Sequence, residues 1–237
     1  MILSIIIPVF NEEKTISEIV AKVSNVKLPH KLTREVIVVD DASNDTTTLA
    51  LRGASKTFNL KVFKHTTNKG KGAAIRTGIK KSKGEIILIQ DADLEYDPND
   101  YPRLLKPILD GKCQVVYGTR LKNYPIKIFG RKHTPFLTHF LGNKFLSLAT
   151  RILYGSKITD METCYKVFKK EVIKNIEIKS DRFEFEPEIT AKILKAGHSI
   201  YEVPIKVTPR GYDEGKKITW KDGFLALWTL VKYRFTD

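Results

Sequence analysis

The chain has 237 residues, 42% of them hydrophobic, with 41 Lys and Arg against 27 Asp and Glu and a net charge of +14. That length and apolar content suit one large domain with an ample core and exclude wholesale disorder. Cys113 and Cys164 form no CxxC pair, which argues against a zinc finger or disulfide framework, while the positive balance favours anionic partners: phosphorylated substrates, acidic headgroups or nucleic acid.

Without a basic leader or small-residue cleavage site, no signal peptide is expected, and no apolar run reaches the ~18–20 residues of a membrane span. Ile2 to Val9 reads as a buried strand, followed by a helical pattern through Ile16, Ile19, Val20 and Val23. Glu35 to Val39 is a second strand closing on Asp40-Asp41. A helix over Thr47 to Thr57 and a strand over Leu60 to Phe63 follow. The turn Asn68 to Gly72 opens a helix carrying Ile75 and Ile79, and Gly84 leads into the strand that ends in Asp91-Ala92-Asp93.

This alternation with apolar strands predicts an α/β fold, its sheet mostly parallel and covered by helices on both faces. Ligands bind such sheets beyond the carboxyl ends of the strands. Asn11, Asp40-Asp41, Asn68 to Gly72 and Asp91 to Asp93 all follow strands and are expected to converge there.

The second half is less regular. Asp97 to Leu109 reads as a helix, Gln114 to Tyr117 as a strand, and Gly118-Thr119-Arg120 as a turn before a basic segment containing Lys122, Lys127, Arg131 and Lys132. An amphipathic helix over 136–153 has Leu137, Leu141, Phe145, Leu148 and Ile152 on one face and His139, Asn143, Ser147 and Arg151 on the other. Apolar faces of this kind usually look toward the core. Tyr165 to Phe168 reads as a strand, Pro187 to Lys195 as a helix and Ser199 to Val207 as a strand. The last helix, Thr219 to Phe235, opens on Thr219 and Asp222 as a capping box. Its tryptophans beside basic residues also suit a membrane interface.

In extended chain Asp91 and Asp93 project together, with Glu95 continuing the row. A hard divalent cation holding a phosphorylated substrate would relieve their repulsion, although an isolated triplet of this kind is commonly a solvated turn. Asn68-Lys69-Gly70-Lys71-Gly72 matches neither a P-loop nor a dinucleotide fingerprint, and alone reads as a tight helix start with exposed lysines. Asp40 to Thr46 fits a helix cap equally well as a contact to a base or ribose hydroxyl.

Taken in order, Ile7-Pro8-Val9-Phe10-Asn11-Glu12, Val39-Asp40-Asp41-Ala42-Ser43-Asn44-Asp45-Thr46, Asn68 to Ala73, Asp91-Ala92-Asp93, Gly118-Thr119-Arg120, Thr159 to Lys166 and Glu202-Val203-Pro204-Ile205 carry a resemblance over nearly the whole chain. The sequence resembles family 2 glycosyltransferases of the nucleotide-diphospho-sugar transferase (GT-A) fold, in the branch with dolichyl-phosphate mannose and glucose synthases. It departs from mannose-phosphate synthases in having Thr163-Cys164-Tyr165-Lys166 where Ser-Gly-Phe-Arg is frequent, and Glu95 where Gln or Ser is common. The basic segment Arg210 to Lys217 matches their basic loop only loosely.

The resemblance implies one domain over 1–237, with a nucleotide-sugar half (1–120) and an acceptor half (121–237). It implies a donor such as GDP-mannose or UDP-glucose, Mg²⁺ or Mn²⁺, and a polyprenyl phosphate acceptor, with inversion at the anomeric carbon. Pro8, Phe10, Asn11, Glu12, Asp40, Asp41, Lys71, Asp91 and Ala92 would surround the nucleotide sugar. Asp93, with Asp91 and Glu95, would hold the metal. Arg120, Arg131, Arg210 and Lys216 would bind the acceptor phosphate, and Asp160 would position the donor. A phosphate acceptor is already anionic near neutral pH and needs no strong base.

The positive charge would hold the enzyme on an anionic membrane, on its cytoplasmic face. One alternative is transfer to a hydroxyl acceptor, with Asp160 or Glu162 as base. A basic nucleic-acid-binding or non-catalytic scaffold protein is another, without a nucleic-acid motif to support specific binding.

Overall fold

The structure, a computed structural model, describes residues 1–29, 32–120, 137–208 and 220–236, and leaves the side chains of residues 137–139, 220 and 221 undescribed. A seven-stranded sheet runs through both halves in the order β3-β2-β1-β4-β6-β5-β7. Its strands are β1 (Ile2–Val9), β2 (Thr33–Asp40), β3 (Leu60–Lys64), β4 (Ile86–Ile89), β5 (Val115–Thr119), β6 (Lys166–Lys169) and β7 (Ile200–Pro204). The helices are α1 (Ile16–Asn25), α2 (Thr47–Thr57), α3 (Lys71–Lys81), α4 (Tyr101–Leu109), α5 (Leu137–Tyr154), α6 (Lys170–Ile173), α7 (Phe185–Lys195) and α8 (Trp220–Phe235).

Strands β1 to β4 pair in parallel, in the order the alternation dictates. The chain steps outward from β1 through α1 and α2, then returns across β1 through α3 to β4. Right-handed crossovers therefore place α3 on the sheet face opposite α1 and α2. The reversal occurs between β1 and β4, so a crevice opens at their carboxyl ends. Strand β6 is antiparallel to both its neighbours, β4 and β5. That reversal brings the start of β6, rather than its end, to the edge where β4 and β5 finish. Residues 159–166 thereby join the site.

The core is made of strand residues buried on both faces, among them Ile5, Ile7, Val38, Leu88 and Val116. Three non-glycine residues with positive φ lie in loops at the ligand edge: Asn11 after β1, Ala42 after β2 and Leu94 after β4. Local strain of this kind collects at functional sites, where surrounding bonds over-determine it.

Two sequence expectations change. β4 stops at Ile89, and the acidic triplet enters a turn at Ala92 and Asp93, so two-residue alternation does not govern where its side chains project. Helix α5 is rotated relative to the expected core-facing arrangement: Leu141, Phe145, Leu148 and Ile152 are exposed, Ile152 by 73%, while Phe140, Leu146, Ser147 and Thr150 are buried. The inward face mixes Phe140 and Leu146 with the small polar Ser147 and Thr150, whose hydroxyls are both used by backbone groups. Met161 N donates to Ser147 Oγ at 3.1 Å, and Thr150 Oγ1 donates to its own helix at Leu146 O. On α8, which packs against α5 and α7, Ala226, Thr229, Leu230 and Tyr233 turn inward while Trp228 is 65% exposed. Tyr154 Oη donates to Leu230 O at 2.6 Å and ties the two helices together.

Candidate active site

The loops after β1 and β2 are stitched by short polar side chains. Asn11 N donates to Ser43 Oγ, Asn44 N donates to Asn11 Oδ1, each at 3.0 Å, and Glu12 N donates to Thr47 Oγ1 at 2.9 Å. Pro8 is buried within β1, whereas Phe10, Asn11 and Glu12 are partly exposed along the turn that follows.

Asp40 and Asp41 are both buried and serve these loops directly. Asp40 accepts from Ser43 N and Thr48 Oγ1, each at 2.8 Å, and faces Lys64. Burial alone would raise its carboxyl, but the Ser43 and Thr48 bonds and the Lys64 charge hold it below the usual range. Asp41 accepts from Lys69 N and from Gly70 N at 2.6 Å, and lies 2.6 Å from His65 Nδ1. Its carboxylate thus braces the turn ahead of α3. Contact with a nucleoside would require some of these bonds to be exchanged.

That turn explains the spacing of Gly70, Lys71 and Gly72. A Cβ on Gly70, whose φ is +105°, would stand 2.5 Å from Asp181 O; one on Gly72 would stand 2.5 Å from Ser180 O. Both glycines are there because the backbone of residues 180–182 crosses the helix start. Lys71, expected on the surface, is turned inward between them. Its Nζ lies 2.8 Å from Asp91 Oδ1, 3.1 Å from Asp91 Oδ2 and 3.1 Å from Glu186 Oε1. Burial would lower the ammonium, yet Asp91 and Glu186 hold it well above the ordinary lysine value. Burial likewise opposes the Asp91 carboxylate, and the Lys71 charge outweighs it, leaving that group below its usual range.

The acidic turn is braced from below by Gln90, which sequence reasoning passed over as part of the apolar run. Gln90 Oε1 accepts from Tyr101 Oη at 2.7 Å and Tyr165 Oη at 2.9 Å, while its Nε2 donates to Asp91 O at 3.0 Å. Ala92 is buried, and Asp93 Oδ1 accepts from Glu95 N at 3.1 Å. Among the described residues no three His, Cys, Asp or Glu side chains come together as a preformed metal cage. The donor set instead suits Mg²⁺ or Mn²⁺ arriving on a diphosphate, a mode that needs one or two carboxylates and takes the remaining oxygens from substrate and water.

In the loop before β6, Asp160 is fully buried and Arg120 grips it. Arg120 Nε donates to Oδ2 at 2.8 Å, a terminal guanidinium nitrogen donates to Oδ1 at 2.7 Å, and Arg120 N donates to Oδ2 at 2.8 Å. Burial would lower the guanidinium, but Asp160 holds it well above its usual value. Glu202 secures the loop by accepting from Thr159 N at 2.8 Å and Asp160 N at 3.0 Å.

Glu162, two residues on, keeps a buried Oε1 with no hydrogen-bond partner. Burial first, and then the charge of Glu186, push its carboxyl up to about 7. Arg131, Arg210 and Lys216 lie outside the described residues. The described chain before Arg210 runs beside the acidic turn, with Thr208 N donating to Glu95 O at 2.9 Å and Tyr96 bridging to Val207.

Lys166 and Glu186 adjoin the site in a way periodicity could not reveal, one at the start of a strand and the other between Phe185 and Pro187 in the first turn of α7. A charge at a position whose neighbours are buried was the available signal.

Residues 4–177 match the family described as Glycosyl transferase family 2. A UDP-N-acetylglucosamine–dolichyl-phosphate N-acetylglucosaminyltransferase from Methanococcus voltae is 31% identical, over 96% of this chain and 94% of that protein. A dolichol-phosphate mannosyltransferase from Pyrococcus furiosus is 30% identical over 91% of this chain, which spans 59% of that protein's length. Among solved structures, glucosyl-3-phosphoglycerate synthase from Mycobacterium tuberculosis, in complex with Mg²⁺ and uridine diphosphate, superposes with a TM-score of 0.74 at 18% identity, covering 99% of this chain and 80% of that one. This likeness establishes a shared GT-A-like fold. The chain belongs to glycosyl transferase family 2.

Proposed function

We propose that this glycosyltransferase moves a hexose from a nucleotide-diphosphate sugar to a polyprenyl phosphate, with inversion, at an anionic membrane surface. The observation that carries this reading is the rotation of α5. Its inward Ser147 accepts from Met161, in the loop that carries Asp160, the partner of Arg120, while its outward side presents Leu141, Phe145, Leu148 and Ile152. One helix diameter, about 10 Å, separates that apolar face from the site loop. A polyprenyl phosphate bears its phosphate directly on the first prenyl unit, so the leading units of its chain would bridge this gap between the membrane and the site.

Lys144, Arg151, Lys232 and Arg234 are exposed along the same two helices and complement acidic headgroups. The named relatives support the same acceptor class with differing sugars: N-acetylglucosamine and mannose on dolichyl phosphate, and galacturonate on dodecaprenyl phosphate.

In this reading Pro8, Phe10, Asn11 and Glu12 line the nucleoside side, with Asp40 and Asp41 shaping the loops behind it. Asp91 accepts from a donor hydroxyl, and Asp93 ligates the Mg²⁺ or Mn²⁺ that neutralises the departing diphosphate. Structural neighbours were crystallised with uridine diphosphate and either of these ions. Arg120, pinned by Asp160, presents its charge to the acceptor phosphate. Arg210 and Lys216 follow in sequence from the segment beside Glu95 and are assigned to the same anion. The phosphate attacks without a base, since Asp160 spends both oxygens on Arg120.

A second reading, transfer to a hydroxyl acceptor, is favoured by one observation. Glu162 has an unpartnered buried oxygen and a pKa suited to proton transfer near neutrality. A donor panel of GDP-mannose, UDP-glucose and UDP-N-acetylglucosamine, assayed with Mn²⁺ or Mg²⁺ against a short polyprenyl phosphate and against hydroxyl acceptors, tests both readings. Metal-dependent glycosylation of the lipid phosphate is expected. Transfer only to hydroxyls, or transfer undiminished by chelation, would overturn it.

A further inference from the structure

Between the acidic turn and the interior runs a row of alternating charges assembled from separate elements. Lys71, at the start of α3, reaches both oxygens of Asp91 and also Glu186 Oε1. Glu186, in the first turn of α7, offers its other oxygen to Lys166 at the start of β6. Lys166 is wholly buried. Its ammonium donates to Met161 O at 3.2 Å and to Thr163 O, and stands 4.7 Å from the centre of the Tyr117 ring. The order Asp91, Lys71, Glu186, Lys166 alternates in sign and sums to no net charge.

The outer pair reaches solvent, with side-chain exposures of 17% for Lys71 and 20% for Asp91, whereas the inner pair is sealed at 5% and 0%. A sealed pair of charges is a poor source of stability, because well-packed apolar residues of similar volume commonly do as well. It is well suited, however, to holding another charge in one place. Lys71 spans both oxygens of Asp91, which fixes the carboxylate's rotation and offsets its charge. A carboxylate so occupied competes weakly for a divalent cation while keeping lone pairs for a hydroxyl donor.

We infer that Glu186, braced by Lys166, is a positioning residue that restrains Lys71 on Asp91, so that Asp91 stays a hydroxyl acceptor and the metal goes to Asp93. Without that restraint the Lys71 chain regains its freedom and Asp91 becomes available to the ion. This division of labour rests on the nucleotide-sugar reading of the site. The restraint itself can be measured without any turnover.

The test is Mn²⁺ binding, followed by electron paramagnetic resonance in the absence of nucleotide. The paired variant Lys166→Met with Glu186→Gln removes one charge of each sign and orphans neither. It is expected to bind Mn²⁺ on the order of tenfold more tightly than the parent, the worth of one charge-assisted contact. Adding Asp91→Asn should cancel that gain. Unchanged Mn²⁺ affinity in the folded paired variant, or a gain that survives Asp91→Asn, overturns the inference.

Should the paired variant fail to fold, Lys166→Gln with Glu186→Gln, which keeps a hydrogen-bonding group at both positions and leaves Lys71 in place, must show the same gain and the same cancellation; unchanged affinity there is equally fatal. Titration of the parent protein with UDP and GDP in the presence of Mn²⁺ checks the underlying reading separately. If neither nucleotide binds, that reading fails whatever the variants do with Mn²⁺ alone.

Discussion

Arg120 and Asp160 are joined by three hydrogen bonds of 2.7 to 2.8 Å, two from the guanidinium and one from Arg120's own backbone N–H. A carboxylate used this way cannot also take a proton from an acceptor without releasing the arginine. Asp160→Asn keeps the shape but removes the charge, leaving the largely enclosed Arg120 guanidinium without its carboxylate. Stability should fall by about 3–5 kcal/mol, the usual cost of breaking such a pair from one side. In protein that still folds, kcat/KM for the phosphate acceptor should fall while the shape of the pH profile stays the same. Loss of one limb of that profile, with no change in stability, would instead identify Asp160 as a base. Lysine at position 120 should not rescue activity, because a single ammonium cannot make the two-pronged contact.

Asp93→Ala should reduce metal-dependent transfer by on the order of 10²–10³, as expected when a group stabilising charge on a departing oxygen is lost. Glu95→Gln should cost only a few-fold, since the described residues show no three-carboxylate cage that would need it. Activity measured across a Mn²⁺ titration separates the two. Equal losses for both variants would show that Glu95 joins the metal when the donor binds.

Much of this site was legible from chain order alone. Each of Asn11, Asp40, Lys71 and Asp91 follows a strand in an alternating α/β pattern, and parallel pairing brings all four to one sheet edge. What could not be read is what depends on a reversal or a rotation. Lys166 reaches that edge because β6 runs antiparallel, and sequence periodicity is blind to strand direction. Lys71 turns inward because residues 180–182 cross α3, a contact made by chain over a hundred residues away. The amphipathic pattern of α5 was plain, but amphipathicity does not say which face meets the core. Here Ser147 turns inward to take the Met161 N–H, and Phe140, Leu146 and Thr150 turn inward with it.

Glu162 sets a pH dependence of stability whose sign can be worked out. Its carboxyl is raised from 4.5 to about 7, so folding favours the protonated form. The associated stability is fully present below the unfolded value of 4.5 and is lost as pH rises through about 7. Glu162→Gln, which stays neutral, lacks that loss. Between pH 4.5 and 8 the variant should therefore gain on the parent by roughly 3 kcal/mol at most, following the size of the shift. Urea denaturation of both proteins at the two pH values checks this, and a constant difference would count against it. If Glu162 also serves as a base for a hydroxyl acceptor, the same substitution should abolish that activity and spare transfer to lipid phosphate.

The outward faces of α5 and α8 make the membrane reading quantitative. Phe145 is 57% exposed and Trp228 65%, and the two helices are tied together by Tyr154 and Leu230. Inserting a large apolar side chain is worth about 1.5–3 kcal/mol when burial is complete, and about half that for partial insertion. Each basic residue near an acidic leaflet adds about 1 kcal/mol, an attraction that salt screens over about 8–10 Å. Two signs should therefore appear in flotation with liposomes. Raising the salt should weaken binding to acidic vesicles, and Phe145→Ser with Trp228→Ser should weaken it about 10- to 100-fold at any salt, from about 1.4 kcal/mol per decade. The paired variant should keep its melting temperature, because both side chains face outward. Binding abolished by salt yet indifferent to these substitutions would leave charge as the sole attachment and remove the apolar face from the mechanism.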